Sequence, residues 1–245
     1  MRRLLLSLSA VALVSGLVAA PNAAAQQSLN FYIGGFTPRP LDARGASDVL
    51  VGNSAFLSTF NRVNGIDIGQ FNNVTVGGEW LFGLGRNFEG GLGLGFYQRS
   101  ARTSYTDLVN ANGSEIVQTL KLRIVPFTAT VRFLPFGRGQ PIQPYIGGGV
   151  GVYGWRYSET GQFVAADNSI LPSNSVFTGS GGATGPVVLG GVRVPIGSVD
   201  VGGEIRYQSA EGKLPTDKGF ATCSGCAPTI DLGGFNYLFT LNVRF

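Results

Sequence analysis

Three groups of residues in this 245-residue chain have types and spacings that could carry chemistry. Gly149, Gly151 and Gly154, in the stretch YIGGGVGVYGWRY, match the G-x-G-x-x-G pattern that lets a backbone approach a pyrophosphate. That fingerprint needs a helix opening at its glycines and an acidic residue about twenty positions on to hold the ribose. Here the glycines run into Trp155, Arg156 and Tyr157, a strand-forming trio with no helical period behind it, so no dinucleotide is expected. Cys223-Ser224-Gly225-Cys226 has C-x-x-C spacing, but no βαβ pattern accompanies it and the further ligands for zinc are missing. A local disulfide between Cys223 and Cys226, contributing about 2 kcal/mol to loop order, is the simpler reading. The third group is ionisable: Glu79, Glu89, Asp200, Glu204, Arg132, Arg193, Arg206 and Arg244, with Arg99, Lys121 and Arg123. What these do depends on where their elements point them. The chain contains no histidine, which excludes every mechanism needing imidazole as base, acid or metal ligand. No catalytic set, cofactor or metal is expected.

The first residues indicate a compartment. Arg2 and Arg3 precede an apolar and small-residue run from Leu4 to Ala20, and Pro21 to Gln26 offers a small-x-small cleavage site. Residues 1–25 therefore read as a secretory signal peptide cut after Ala25, in preference to an uncleaved anchor helix. Those residues include Arg2 and Arg3 and no acid, so the formal charge falls from +4 to +2 on cleavage. Without a run of Lys or Arg in the mature chain there is no basic stripe to track phosphates, and nucleic acid is excluded as a partner. The mature chain, 26–245, suits one all-β domain.

The elements that must position the charges alternate with period two. In Phe235 to Phe245 the odd positions are all apolar or aromatic. Val199 to Gln208 repeats the pattern, with Asp200, Glu204, Arg206 and Gln208 opposite Val, Gly, Ile and Tyr. Eight such elements can be laid along the chain, at roughly 29–37, 68–82, 88–104, 115–136, 143–158, 183–195, 199–209 and 231–245. Short links (83–87, 137–142, 195–198) alternate with long ones (38–67, 160–182, 210–230), with the link 105–114 intermediate in length. That asymmetry is expected of an up-and-down transmembrane barrel, whereas a soluble sandwich has no need of it.

Within 115–136, Leu120, Leu122 and Ile124 oppose Lys121 and Arg123, whereas after Pro126 the apolar role passes to Phe127, Ala129, Val131 and Phe133. The apolar phase slips by one residue, which predicts a bulge at Val125-Pro126 that keeps apolar side chains on lipid throughout. On the same logic Tyr153, Trp155 and Tyr157 are expected in an aromatic girdle at the membrane surface. The glycines of 90–96 and 147–154 would relieve crowding in a narrow barrel.

The signal peptide, the eight alternating strands, the Gln143 to Gly151 hairpin start and the final Phe245 together resemble the small outer-membrane β-barrels of Gram-negative bacteria, in particular the OmpW-like and OmpA-transmembrane-like proteins. The resemblance covers the mature chain. It implies an eight-stranded antiparallel barrel in the bacterial outer membrane, surrounded by outer-membrane lipids and lipopolysaccharide. It also implies that Phe245 is part of the signal read by the barrel-assembly machinery. An OmpA-like peptidoglycan-binding domain does not follow the last strand, so anchoring to the cell wall is not expected.

Parity then sends Glu79, Glu89, Arg132, Arg193, Asp200, Glu204, Arg206 and Arg244 inward, where they should pair, because unpaired buried charge is costly. Arg99, Lys121 and Arg123, with Arg156 as a further candidate, have no inward acids nearby and would make the upper lumen attractive to anions. The apolar Val49, Leu50, Val51, Phe56, Leu57 and Phe60 in the first long connection form either a lid that admits a small hydrophobic solute or residues that pack on the rim. The first functional reading is a non-enzymatic narrow pore or conduit for small or hydrophobic solutes. The alternative is a structural or adhesin-like surface protein with a closed, salt-bridged lumen. A lipid hydrolase or acyltransferase on this scaffold is disfavoured by the missing histidine.

Overall fold

A computed structural model describes residues 27–59, 65–164, 169–171, 175–220 and 224–245. The strands are β1 (Gln27–Pro38), β2 (Leu57–Thr59), β3 (Asn73–Gly83), β4 (Phe88–Val109), β5 (Glu115–Phe133), β6 (Gln143–Gly161), β7 (Ser175–Ile196), β8 (Val199–Gln208), β9 (Glu211–Lys213), β10 (Thr229–Asp231) and β11 (Gly234–Arg244). One short helix, α1, spans Val49–Ser54. Eight of the strands form a closed antiparallel ring in the order β1-β3-β4-β5-β6-β7-β8-β11, with β11 returning to β1 through Ser28↔Arg244 to Pro38↔Gly234. The fold is therefore all-β, an eight-stranded up-and-down barrel with no open edge around the ring. The signal peptide expected over residues 1–25 lies outside the described residues.

The barrel is lopsided. Strands β4 to β7 have 22, 19, 19 and 22 residues, whereas β8, β11, β1 and β3 have 10, 11, 12 and 11. One wall thus rises above the other by about ten residues, roughly 30 Å along the strand. The exposed upper edge of β4 is paired by β2, through Leu57↔Tyr105 to Thr59↔Thr103. The β9–β10 hairpin packs against β7 above the end of β8, where the Ser209 N–H donates to the Pro186 carbonyl at 3.2 Å.

Outward positions near the short turns are apolar on every wall: Phe88, Leu92, Leu94 and Phe96 on β4, Phe127, Val131 and Phe133 on β5, and Phe235, Tyr237, Phe239, Leu241 and Val243 on β11, each 37–58 % exposed. From Phe88 to Phe96 the band is about nine residues tall, which matches the hydrocarbon thickness that a tilted strand must cross. Residues this greasy and this exposed around the whole ring require lipid rather than water as solvent.

The bulge expected at Pro126 is absent, and the correction changes the map of the barrel. β5 and β6 keep one register from Gln118↔Gly161 to Phe133↔Ile146, and β4 and β5 keep one offset from Phe88↔Phe133 to Ser104↔Val117. Pro126 removes a ladder hydrogen bond without adding a residue. Even-numbered positions of β5 face inward throughout, so Leu120, Leu122 and Ile124 are buried inside while Lys121 and Arg123 point outward. Below Pro126 the same parity buries Thr128, Thr130 and Arg132 and exposes Phe127, Val131 and Phe133. The apolar phase slips because the surroundings invert where the wall leaves the lipid.

Other boundaries moved for local reasons. β3 begins at Asn73 because Ile68–Phe71 folds into a 3-10 turn, capped by the Asp67 side chain accepting from the Gly69 N–H at 2.9 Å. β7 starts at Ser175, earlier than expected, because its glycine-rich first half is recruited by pairing with β6 up to Gly161↔Ser175. The segment expected at 231–245 splits, and Thr229–Asp231 leaves the ring to pair with β9.

Candidate functional site

The lower lumen is filled by charge. Glu79 on β3 and Glu204 on β8 face Arg132 on β5 and Arg206 on β8, all four almost wholly buried. Arg132 Nη2 pairs with Glu79 and lies 2.9 Å from Glu204 Oε2, while Arg206 Nη2 lies 3.2 Å from Glu79 Oε2 and 2.7 Å from Glu204 Oε1. Each acid therefore shares both cations. The remaining lone pairs are used as well: the Thr130 hydroxyl donates to Glu79 at 3.0 Å and the Tyr145 hydroxyl to Glu204 at 3.1 Å. The guanidinium of Arg132 lies over the Tyr145 ring at 4.9 Å and that of Arg206 over Tyr32 at 5.2 Å.

A second tier closes the end nearest the short turns. Glu89 pairs with Arg193 at 2.6 Å and Arg138 at 3.4 Å, while Asp200 pairs with Arg244 at 3.2 Å and Arg193 at 3.9 Å. The eight inward charges read from parity thus fall into two tiers. Arg138 was missed, because it sits in a turn where strand parity says nothing.

These large side chains fit because facing positions are glycine. A Cβ on Gly91 would lie 2.5 Å from Glu79 Oε1, and one on Gly191 would lie 2.6 Å from the Tyr145 hydroxyl and 2.5 Å from the Gly203 carbonyl. The glycines of the former nucleotide motif belong to β6, where a Cβ on Gly149 would meet the Ala129 carbonyl at 2.0 Å. Gly149 permits close strand approach and Gly151 makes room for the Tyr153 side chain, whose hydroxyl would lie 2.5 Å from a Cβ there.

Above this network the lumen is an apolar core. Tyr153, Trp155 and Tyr157, expected at the lipid surface, instead point inward at 0, 4 and 0 % exposure. They join Leu120, Leu122, Ile124, Tyr97, Phe36 and Val187. Residues at lipid and residues in a sealed mouth have the same apolar character, so their composition could not separate the two. The aromatic surface comes from other positions, including Trp80, Phe88, Phe96, Tyr237 and Phe245.

The first long connection covers this core. Val49, Leu50 and Leu57 are buried in it, Phe56 is exposed, and Phe60 lies outside the described residues. Asp48 caps α1 by accepting from the Leu50 N–H at 2.8 Å, and it also accepts from the Asp231 N–H at 2.5 Å and pairs with Arg44 at 3.0 Å. Burial pushes the Asp48 carboxyl up, against the opposing pull of Arg44 and the two N–H groups. Asn53 of α1 donates to Glu159 at 2.7 Å. Together with Arg39–Asp231 at 3.1 Å, these contacts tie the lid to the last loop and to the tall wall.

The expected basic upper lumen is not there. Arg99 has inward parity but its Nε donates to the Gln70 carbonyl at 2.8 Å, and Lys121 and Arg123 are exposed on the outside of β5, as is Arg156 on β6. The expectation failed because it kept apolar side chains outward above Pro126 by assuming a bulge that would reverse the parity, and the parity does not reverse. Cys226 is disulfide-bonded, and Cys223 lies outside the described residues.

No family model matches the chain, and no curated protein does. Among solved structures it is similar to Neisserial surface protein A, at 13 % identity and a TM-score of 0.45, covering 90 % of this chain and 97 % of that one. It is also similar to Ail, the attachment invasion locus protein of Yersinia pestis, at 10 % identity and a TM-score of 0.39, covering 90 % and 99 %. The outer membrane protein W of E. coli is similar at 14 % identity and a TM-score of 0.40, covering 91 % and 100 %.

Proposed function

We propose that this chain is a non-enzymatic barrel of the bacterial outer membrane whose lumen is closed and whose work is done by its surface. The carrying observation is the double filling of the lumen. A shared ion-pair network spans the lipid-embedded half, and a lidded apolar core occupies the half above it. A water-filled path would have to break buried charge pairs, at about 3–5 kcal/mol for each partner removed, and then cross the apolar core. Of the two readings open from sequence, packing therefore favours the surface-interaction protein over the narrow pore. The tall β4–β7 wall presents polar surface beyond the membrane, the geometry of an adhesin-like role. Phe245, 70 % exposed beside the β1–β11 seam, is available to the barrel-assembly machinery.

The test is electrical recording on the refolded full-length chain in planar bilayers. The expected result is a heat-modifiable, inserted protein without unitary conductance steps; reproducible steps from the unmodified chain would overturn the reading. A conduit for a small hydrophobic solute is the second reading, supported by the apolar character of the lidded core. It predicts flux of such a solute without ionic current.

A further inference from the structure

The outer face of the tall wall carries a cluster of cations in two adjacent rows with no counter-charge among the described residues. Gln98 on β4, Arg123 on β5, Arg156 on β6 and Ser180 on β7 are register partners, side by side across four strands. One step higher, Ser100, Lys121, Ser158 and Thr178 form the next outward row. Lys121, Arg123 and Arg156 are exposed, and no ion pair with an acid joins any of them among the described residues. Neither row contains an acidic side chain. Gln98, Lys121, Arg123, Arg156 and Ser158 line a common recess of about 300 Å³.

Two features make this cluster more than a solvated face. Arg123 and Arg156 are directly opposed across a strand pair, an arrangement that costs stability unless an anion screens it. Its height is also defined by the chain. Phe96, Val125 and Gly154 form the last outward row of the apolar band, and the cations occupy the first two polar rows above it, Arg123 and Arg156 in the first and Lys121 in the second, on the side of the long loops. A lipid whose tails lie against Phe96 and Phe127 must place its headgroup at that height. Guanidinium forks and an ammonium flanked by amide and hydroxyl donors recognise phosphate oxygens by charge-assisted hydrogen bonds.

We propose that Lys121, Arg123 and Arg156, with Gln98 and Ser158, form a binding site on the outer wall for the phosphate of an outer-leaflet lipid headgroup. The proposal deepens the surface reading above and rests on the barrel spanning a membrane with its long loops outward. It names a lipid neighbour in place of a soluble ligand, because the recess opens at the lipid boundary and not at the loop tips.

The probe is bis-phosphorylated lipid A in mixed micelles with the refolded full-length protein, with bound lipid measured after gel filtration. At about a factor of five per exposed cation near a charged headgroup, the K121Q/R123Q/R156Q variant should bind roughly a hundredfold more weakly than the parent. Neutralising the exposed Lys213 and Lys218 in the last loop should leave affinity unchanged. Equal affinity in parent and triple variant, or equal binding of lipid A stripped of its phosphates, would overturn the site. So would capture of soluble heparin by the same cations with no preference for lipid A. Heat-modifiable migration of each variant separates loss of the site from loss of the fold. Failure of the parent to insert into bilayers would instead sink the membrane reading itself.

Discussion

Leu122 and Phe127 lie five residues apart on β5 and face opposite sides of the same wall: Leu122 is 1 % exposed inside the barrel, and Phe127 is 51 % exposed outside it. Between them the register with β6 is unbroken. The wall therefore has lipid outside and charge inside at one height, and water outside and an apolar core inside at the next. Substitutions at neighbouring positions should have opposite consequences.

Leu92 is outward at the middle of the band, so Leu92→Arg should cost about 2–4 kcal/mol when unfolding is followed by urea in lipid vesicles. Leu122→Ala removes packing from the upper core and should cost about 2–5 kcal/mol. Lys121→Leu, on the outer face above both positions and beyond the apolar band, should lie within about 0.5 kcal/mol of the parent.

Arg132 holds Glu79 and Glu204 together, so Arg132→Met leaves two buried acids on Arg206 alone and should destabilise by about 3–5 kcal/mol. Adding Glu79→Gln to that variant should restore part of the loss, since one unpaired charge is removed with its partner. A double-mutant cycle on urea midpoints measures the coupling, and strict additivity would show that the four residues do not act as one network.

The lid depends on apolar docking. Leu50→Asp buries a charge in the mouth core, and the expected response is release of 39–59 rather than collapse of the ring. Limited proteolysis should cut that connection at least tenfold faster, while heat-modifiable migration of the barrel remains.

Glycine positions provide a contrast in space rather than chemistry. Gly191→Ala places a methyl 2.5 Å from a backbone carbonyl and 2.6 Å from the Tyr145 hydroxyl, and overpacking of this kind costs about 1–3 kcal/mol. Gly35→Ala meets nothing within 4 Å and should be neutral or slightly stabilising in the same unfolding assay.

Much of this protein was legible in its residues. The alternation in Val199–Gln208 and Phe235–Phe245 located two neighbouring strands, and the parity of Glu79, Glu204, Arg132 and Arg206 placed their charges inside, because those segments sit at lipid height where a greasy residue must face out. The short connections at 83–87 and 195–198 could also be read from local turn chemistry. By contrast, the glycine-rich start of β7 carried no period, and only its pairing with β6 reveals it as strand.

What the tertiary structure alone decided is which face is which. Period-two patterning determines that Leu120, Leu122 and Ile124 share one side and Lys121 and Arg123 the other, but it is symmetric with respect to inside and outside. At lipid height the solvent breaks that symmetry by demanding apolar side chains outward. Above it, α1 and the last loop seal the mouth and reverse the demand, through contacts made by residues more than seventy positions away in the chain. The same residue types therefore moved from an imagined anion path in the lumen to a basic cluster on the outer wall.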